Sequence, residues 1–302
     1  MNGQKNMSVD FYQVENDLAP LVEVNYWDRE NHECKGLLLL DTGSNINALF
    51  GKMADEIEWF EEGDISSEEV LGIGERSQRM ERICFSFKMG DYVFNEPFLL
   101  TTEQMDDYMV GDMPIIGIVG NVFMQRHGLA IDYATHSVYT SEVLPAEFVI
   151  EECAYFYPMH MGLKFYGLPI VGIKGKDGEV VALVDTGSTD NSLTYGALKQ
   201  NDLPCDIQEG ICSIWGIGGR VDARKARVEF DMFGFSSETQ VSTYHHNDDF
   251  LVVEYPMLEV DGTDDDGDAL PSIEMLLGSQ FFGREGWVLD FGAKAMYKRK
   301  AA

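Results

Sequence analysis

Two carboxylates in this chain occur in the same local sequence. Leu37-Leu38-Leu39-Leu40-Asp41-Thr42-Gly43-Ser44 recurs as Val181-Ala182-Leu183-Val184-Asp185-Thr186-Gly187-Ser188, each an apolar run ending in an acid, a hydroxyl, a glycine and a second hydroxyl. An apolar β run delivers its last residue into a desolvated place. Gly43 and Gly187 allow a tight turn there, and the flanking Thr and Ser offer donors to a carboxylate. Two carboxylates about 3 Å apart cannot both ionise, so they share a proton and become an acid and a base together. Such a pair activates a water against a carbonyl with no metal and no cofactor. One Asp-Thr-Gly-Ser is a weak signal because turns are rich in these residues. Two copies inside a longer repeat are a strong one.

The repeat extends well beyond the motif. Leu21 to Tyr26 alternates like a half-buried strand, a polar turn follows, and Gly36 opens the run into Asp41; Pro169 to Ile173 and Val180 to Val184 do the same before Asp185. Both copies read as hairpins feeding an acid. Val70-Leu71-Gly72-Ile73-Gly74 and Ile214-Trp215-Gly216-Ile217-Gly218 stand at the same 144-residue offset as the two acids. Glycine between apolar residues suits a hairpin tip that covers an extended peptide, which makes Gly72, Ile73, Gly74, Gly216, Ile217 and Gly218 flap candidates. Strand-like runs follow: Ile83 to Phe87 with Tyr92 to Phe94, loosely matched by Val228 to Phe230 with Phe233 to Phe235. Each half closes on its most detailed match, Ile118 to Tyr133 against Leu276 to Phe291 without gaps, pairing Gly120 with Gly278 and Asp132 with Asp290. Ala48 to Glu62 has mixed helical spacing, and residues 1–19 are free to add an outer strand.

Paired Asp-Thr-Gly-Ser motifs, each followed at a distance by two apolar residues and a glycine, resemble the aspartic peptidases of the pepsin and retropepsin superfamily. The resemblance covers most of the chain and implies an all-β, bilobal acid-protease fold: two tandem retropepsin-like β-barrel halves, residues 1–150 and 151–302, with a cleft between them. It implies an endopeptidase whose catalytic pair is Asp41 and Asp185 and whose substrate is a peptide or unfolded protein. Thr42 and Thr186 would lock the two loops by hydrogen bonds across the interface, and Gly43 and Gly187 would offer backbone N–H groups. Ser44 and Ser188 would donate to the outer carboxylate oxygens, lowering the pair's apparent pKa values and favouring activity in acid. Gly120 and Gly278 would pack behind the catalytic loops, where a side chain does not fit. With both acids in one chain, the active unit is expected to be a monomer. The chief alternative is a peptide-binding module that uses the same cleft without cleavage; a third reading is a duplicated barrel whose acids are only turn residues.

Composition bounds the remaining readings. At 302 residues with 45% hydrophobic and 12% aromatic content, eighteen Phe and thirteen Tyr, the chain can bury two cores and favours strands. A formal charge of −30 repels nucleic-acid backbones and anionic membranes, so neither is an expected partner. Five cysteines without CxxC spacing indicate neither a disulfide framework nor a zinc site. Asp261 to Asp268 fails the spacing of a calcium loop, and His160, His245 and His246 lack ligand partners at a recognised spacing. The N-terminus has no apolar leader pattern, and no run approaches a membrane span. The expected location is cytoplasmic, or secreted if a signal peptide has been removed.

Overall fold

The hairpin that leads to the first acid is formed by Leu21–Trp27 and Glu33–Asp41, with Leu21 opposite Leu39 and Trp27 opposite Glu33. A computed structural model of the chain describes residues 7–12, 14, 18–50, 59–61, 67–71, 77–100, 109–141, 153–159, 167–176, 179–216, 219–237, 240–254 and 272–300. Among these residues there are sheets of nine, eight and six strands and three short helices, α1 (Asn121–His127), α2 (Tyr195–Gln200) and α3 (Ser279–Glu285).

The nine-stranded sheet curls into a barrel. Its path runs Leu21–Trp27, Glu33–Asp41, Met113–Gly120, Ala48–Leu49, Tyr92–Leu100 and Ser77–Met89, and it closes on the first strand through Asn25 opposite Lys88 and Tyr26 opposite Phe87. The eight-stranded sheet repeats the path with Ile170–Lys174, Glu179–Val184, Met275–Leu277, Asn191–Thr194, Gln240–Val253 and Gly219–Ser237, closed by Ile173 opposite Met232. Alternation drives both closures, because every second side chain must leave water. Val22, Val24 and Tyr26 are buried, as are Phe85, Phe87 and Phe98, with Phe230, Phe250 and Phe281 in the second barrel. The rings meet edge to face, Phe85 on Phe98 at 5.3 Å and Phe230 on Phe250 at 5.6 Å. Each such ring contributes roughly 1.5–3 kcal/mol by its burial.

The third sheet joins the halves. Ser8–Asp10, Ser137–Thr140 and Leu129–Asp132 continue into Val288–Asp290, Ala295–Arg299 and Cys153–Pro158, and the seam pairs Ala130 with Asp290, Ile131 with Leu289 and Asp132 with Val288. Ile131 and Leu289 face the main core, whereas Ala130 and Val288 pack with Ala295 and Tyr297 on the opposite face. Helices α1 and α3 precede the seam strands, and each ties its barrel's outer hairpin by ion pairs. In the first half, Arg126 and His127 on the helix meet buried Glu96, with His127 Nε2 2.8 Å from Glu96 Oε1. In the second, one pair keeps its polarity, Arg284 lying 2.5 Å from Asp248, while the other reverses: His246 is on the hairpin and Glu285 on the helix, 3.5 Å apart. Hydrogen bonding to His246 and the nearby Lys298 ammonium hold the Glu285 carboxyl down to about 2, against the cost of its partial burial.

The strands bear on three expectations. The strand-like runs Val228 to Phe230 and Phe233 to Phe235 are parts of one strand, Gly219–Ser237, paired with Gln240–Val253 along its length. In the first half Gly90 at φ 58° turns the chain between Met89 and Tyr92; at the matching place Gly234 stays within the ladder, opposite Ser242. Of the stretch Ala48 to Glu62, Ala48–Leu49 and Trp59–Glu61 are strand, and residues 51–58 lie outside the described residues. Of residues 1–19, Ser8–Asp10 does add an outer strand to the shared sheet. The boundary near residue 150, the acidic stretch 261–268 and His160 lie outside the described residues. Cys34, Cys84, Cys205 and Cys212 stand outside any disulfide. Among the described residues no helix is long and apolar enough to cross a membrane, and no cluster of His, Cys, Asp or Glu could hold a metal ion.

Candidate active site

Each acid reaches the interface at the end of a buried strand. Asp41 closes Glu33–Asp41 beside Gly120 in a parallel register, and Asp185 follows Val184 with its N–H donating to Leu277 O at 3.0 Å. The two loops then grip one another. Thr42 Oγ1 donates to Val184 O at 2.6 Å and accepts the Thr186 N–H at 2.9 Å; Thr186 Oγ1 donates to Leu40 O and accepts the Thr42 N–H at 3.1 Å. Both threonines are wholly buried, so the four bonds are shielded from competing water.

This grip sets the glycines against the opposite acids. A Cβ on Gly43 would stand 2.4 Å from the Asp185 carboxyl carbon, and one on Gly187 equally close to that of Asp41. No other residue fits, because a real Cβ at that distance must displace the carboxylate. Desolvation pushes both carboxyls up, and for Asp41 the neighbouring Asp185 charge adds to its burial. The amides of Gly187, Ser188 and Gly43 favour the charged form of Asp185 and partly offset its burial. The Gly187 N–H donates to Asp185 Oδ1 at 2.9 Å and the Ser188 N–H at 3.3 Å. The Gly43 and Ser44 amides act on Asp41 in the same sense but more loosely, and among the described residues Asp41 Oδ1 has no partner of good hydrogen-bond geometry. Two desolvated carboxyls so placed hold one proton between them.

The serine hydroxyls do not do what the resemblance implies. Ser44 Oγ donates to Ile46 O at 2.9 Å and accepts the Ile46 N–H at 3.2 Å, and Ser188 Oγ donates to Asp190 O at 2.9 Å. A hydroxyl has one proton to give, and each gives it to its own loop two residues on, which is an ordinary turn preference of serine. What reaches the acid is the backbone N–H of Ser188 and the field of the Ser44 amide. Accordingly, a Ser44→Ala, Ser188→Ala variant is expected to lose about 1 kcal/mol of stability per loop. Its dyad is expected to titrate as in the wild type, read by carboxyl carbon NMR. A rise in both apparent constants would restore the hydroxyls to the acids.

Gly120 and Gly278 lie behind the loops. A Cβ on Gly120 would meet Ile46 O at 2.4 Å and Ser44 O at 2.7 Å; on Gly278 it would meet Asp190 O at 2.6 Å and Ser188 O at 2.9 Å. The first amides of α1 and α3 close the same contact, Asn121 N–H to Ser44 O and Ser279 N–H to Ser188 O, both 2.8 Å. The motif reading missed Asn47 and Asn191. Their Oδ1 atoms accept the N–H of Gly120 at 3.0 Å and of Gly278 at 2.9 Å. The signal was present, since both stand six residues after their Asp. Of the flap candidates, Gly72, Ile73, Gly74, Ile217 and Gly218 lie outside the described residues. Gly216 ends the strand Cys212–Gly216 opposite Gly219, and Leu71 pairs with Ser77 in the first half, so both candidates interrupt hairpins.

No protein-family model and no curated protein sequence matches the chain. Among solved structures it is similar to conglutin gamma, a basic 7S globulin from lupine seeds, at 9% identity and TM-score 0.53 over 99% of this chain and 95% of that one. It is also similar to the basic 7S globulin from soybean, at 9% identity and TM-score 0.47 over 97% and 96% of the two chains. An aspartic proteinase from Irpex lacteus matches at 12% identity and TM-score 0.49 over 98% of each. At such identity the lupine likeness shows the fold alone, a bilobal all-β architecture of pepsin-like type along the whole chain.

Proposed function

We propose that the chain is an aspartic-type endopeptidase acting as a monomer on extended peptide or unfolded protein. The observation that carries this reading is the Asp41–Asp185 pair, desolvated at the contact of two equivalent loops, each acid lying against the other loop's glycine. A turn residue needs no such desolvation, and a groove that only binds gains nothing from a shared proton.

The backbone amides that reach Asp185 suggest the first roles. Asp185, favoured as carboxylate by three amides, takes a proton from a water held between the acids as that water's oxygen bonds to the scissile carbonyl carbon. Asp41 gives its proton to the carbonyl oxygen, so a neutral gem-diol forms. Asp185 then protonates the amide nitrogen, Asp41 recovers a proton from one hydroxyl, and the C–N bond breaks to acid and amine. Both groups end as they began.

The test is digestion of a diverse peptide library together with binding of a statine-type mimic, whose hydroxyl takes the place of the water. Wild type is expected to cleave and to bind the mimic, and an Asp41→Asn, Asp185→Asn double variant to bind it at least about 100-fold more weakly. Equal binding with no cleavage would give the peptide-binding module instead.

A further inference from the structure

We infer that Asn47 and Asn191 are positioning residues that fix the depth and spacing of the two carboxylates from behind their loops. The inference rests on the peptidase reading for its consequence in turnover, though not for its geometry. Each side-chain amide spans two backbones. Asn47 Oδ1 accepts the Gly120 N–H at 3.0 Å while its Nδ2 donates to Pro97 O at 3.1 Å. Asn191 Oδ1 accepts the Gly278 N–H at 2.9 Å while its Nδ2 donates to Asp249 O at 3.1 Å.

The next residue shows what this bridge replaces. Ala48 pairs with Ile118 on one side and Leu99 on the other, and Ser192 with Leu276 and Leu251. The main chain leaves this three-stranded ladder to make the catalytic loop, and the Asn amide supplies the missing rung with one acceptor and one donor. Asp could accept but not donate, Ser is too short to span both strands, and an apolar side chain does neither. Gly120 is the residue in register with Asp41. The rung therefore sets the backbone directly beside the acid. The loop is then held at its start by the threonine grip, at its middle through Ser44 O, and at its end by Asn47. Removing the last of these frees the side of the loop that faces the barrel, the grip remaining, and lets solvent reach the dyad from below. Among the described residues, the groups facing the dyad are the two carboxyls themselves and the amides of Gly43, Ser44, Gly187 and Ser188; Asp190, the next acid along the second loop, is exposed. With desolvation weakened, both apparent constants fall.

The experiment compares full-length wild type with Asn47→Ala, Asn191→Ala and Asn47→Asp. Val138→Ala serves as a control, destabilised at a buried position of the shared sheet. Carboxyl carbon NMR follows the titration of the pair, and kcat and KM are measured on one cleaved peptide, all at a temperature where every variant is folded. Both alanine variants are expected to lose roughly tenfold to a hundredfold in kcat, with KM within about threefold of wild type. Both are expected to titrate at lower pH than wild type, with Asn47→Asp less impaired in kcat because it keeps the Gly120 contact. Alanine variants that lose only thermal stability, with titration and kcat as in the control, overturn the inference. If wild type cleaves nothing, the titration still decides the positioning role, and the peptidase reading fails separately.

Discussion

On the peptidase reading, Asp41→Asn and Asp185→Asn are each expected to lower kcat/KM by about 1,000-fold or more, since each removes the acid or the base from a pair that works only with both. Mixing the two variants is expected to restore nothing if the pair forms within one chain; recovery on mixing would place the dyad between chains. The same substitutions stabilise the fold near neutral pH. Burial raises both acids above the ordinary Asp value of 3.8. A raised group helps folding fully below its unfolded value, and that help is lost as the pH climbs through its folded value. The wild type is thus expected to lose stability from about pH 4 upward, and Asp41→Asn to remove part of that loss. Its melting temperature is expected to exceed wild type by a few degrees at pH 7 and to converge with it near pH 3. A variant less stable than wild type at pH 7 would mean that the Asp41 carboxyl is not held under desolvation strain.

Thr42→Val has the largest expected effect on stability. It deletes the donor to Val184 O and the acceptor of the Thr186 N–H, leaving two buried groups unpaired at a cost of about 2–4 kcal/mol. Thr42→Ser keeps both bonds and is expected to cost about 1 kcal/mol or less. Thr186→Val mirrors it through Leu40 O and the Thr42 N–H, and the double variant departs from additivity because all four bonds share one small cluster. Urea unfolding of the wild type and the four variants measures this. Equal midpoints for Thr42→Ser and Thr42→Val would show that the hydroxyl bonds are not what joins the loops.

Much of this was legible in the residues because a duplicated chain carries its own internal comparison. Asp41 and Asp185, the glycines that face them, and Gly120 with Gly278 are positions where only one residue type fits, so they stand out at any divergence. The serine hydroxyls were misread because Ser44 and Ser188 are close to a carboxylate in sequence but closer in space to Ile46 O and Asp190 O; side-chain direction is not written in spacing. Asn47 and Asn191 escaped because their partners, Pro97 and Asp249, are 50 and 58 residues away and come near only when the barrels close. The length of Gly219–Ser237 was hidden by Gly234, a residue that ends strands in most settings and sits inside this one because Ser242 pairs with it.

The seam between the halves also sets a problem of timing during synthesis. Leu129–Asp132 forms the inner edge of the first half's share of the joint sheet, and its partner Val288–Asp290 is made about 160 residues later. At ribosomal speeds of roughly 5–20 residues per second the newborn first half waits on the order of 10–30 s with an open row of N–H and C=O groups, the kind of template on which chains aggregate. Asp132 stands in that row, and in the finished protein its carboxylate is closed off by the Ala134 and Thr135 amides and by Arg299 from the second half. A charge beside an unfinished edge discourages a neighbouring nascent chain from adding to it. Arg299, on the strand Ala295–Arg299, then neutralises that charge.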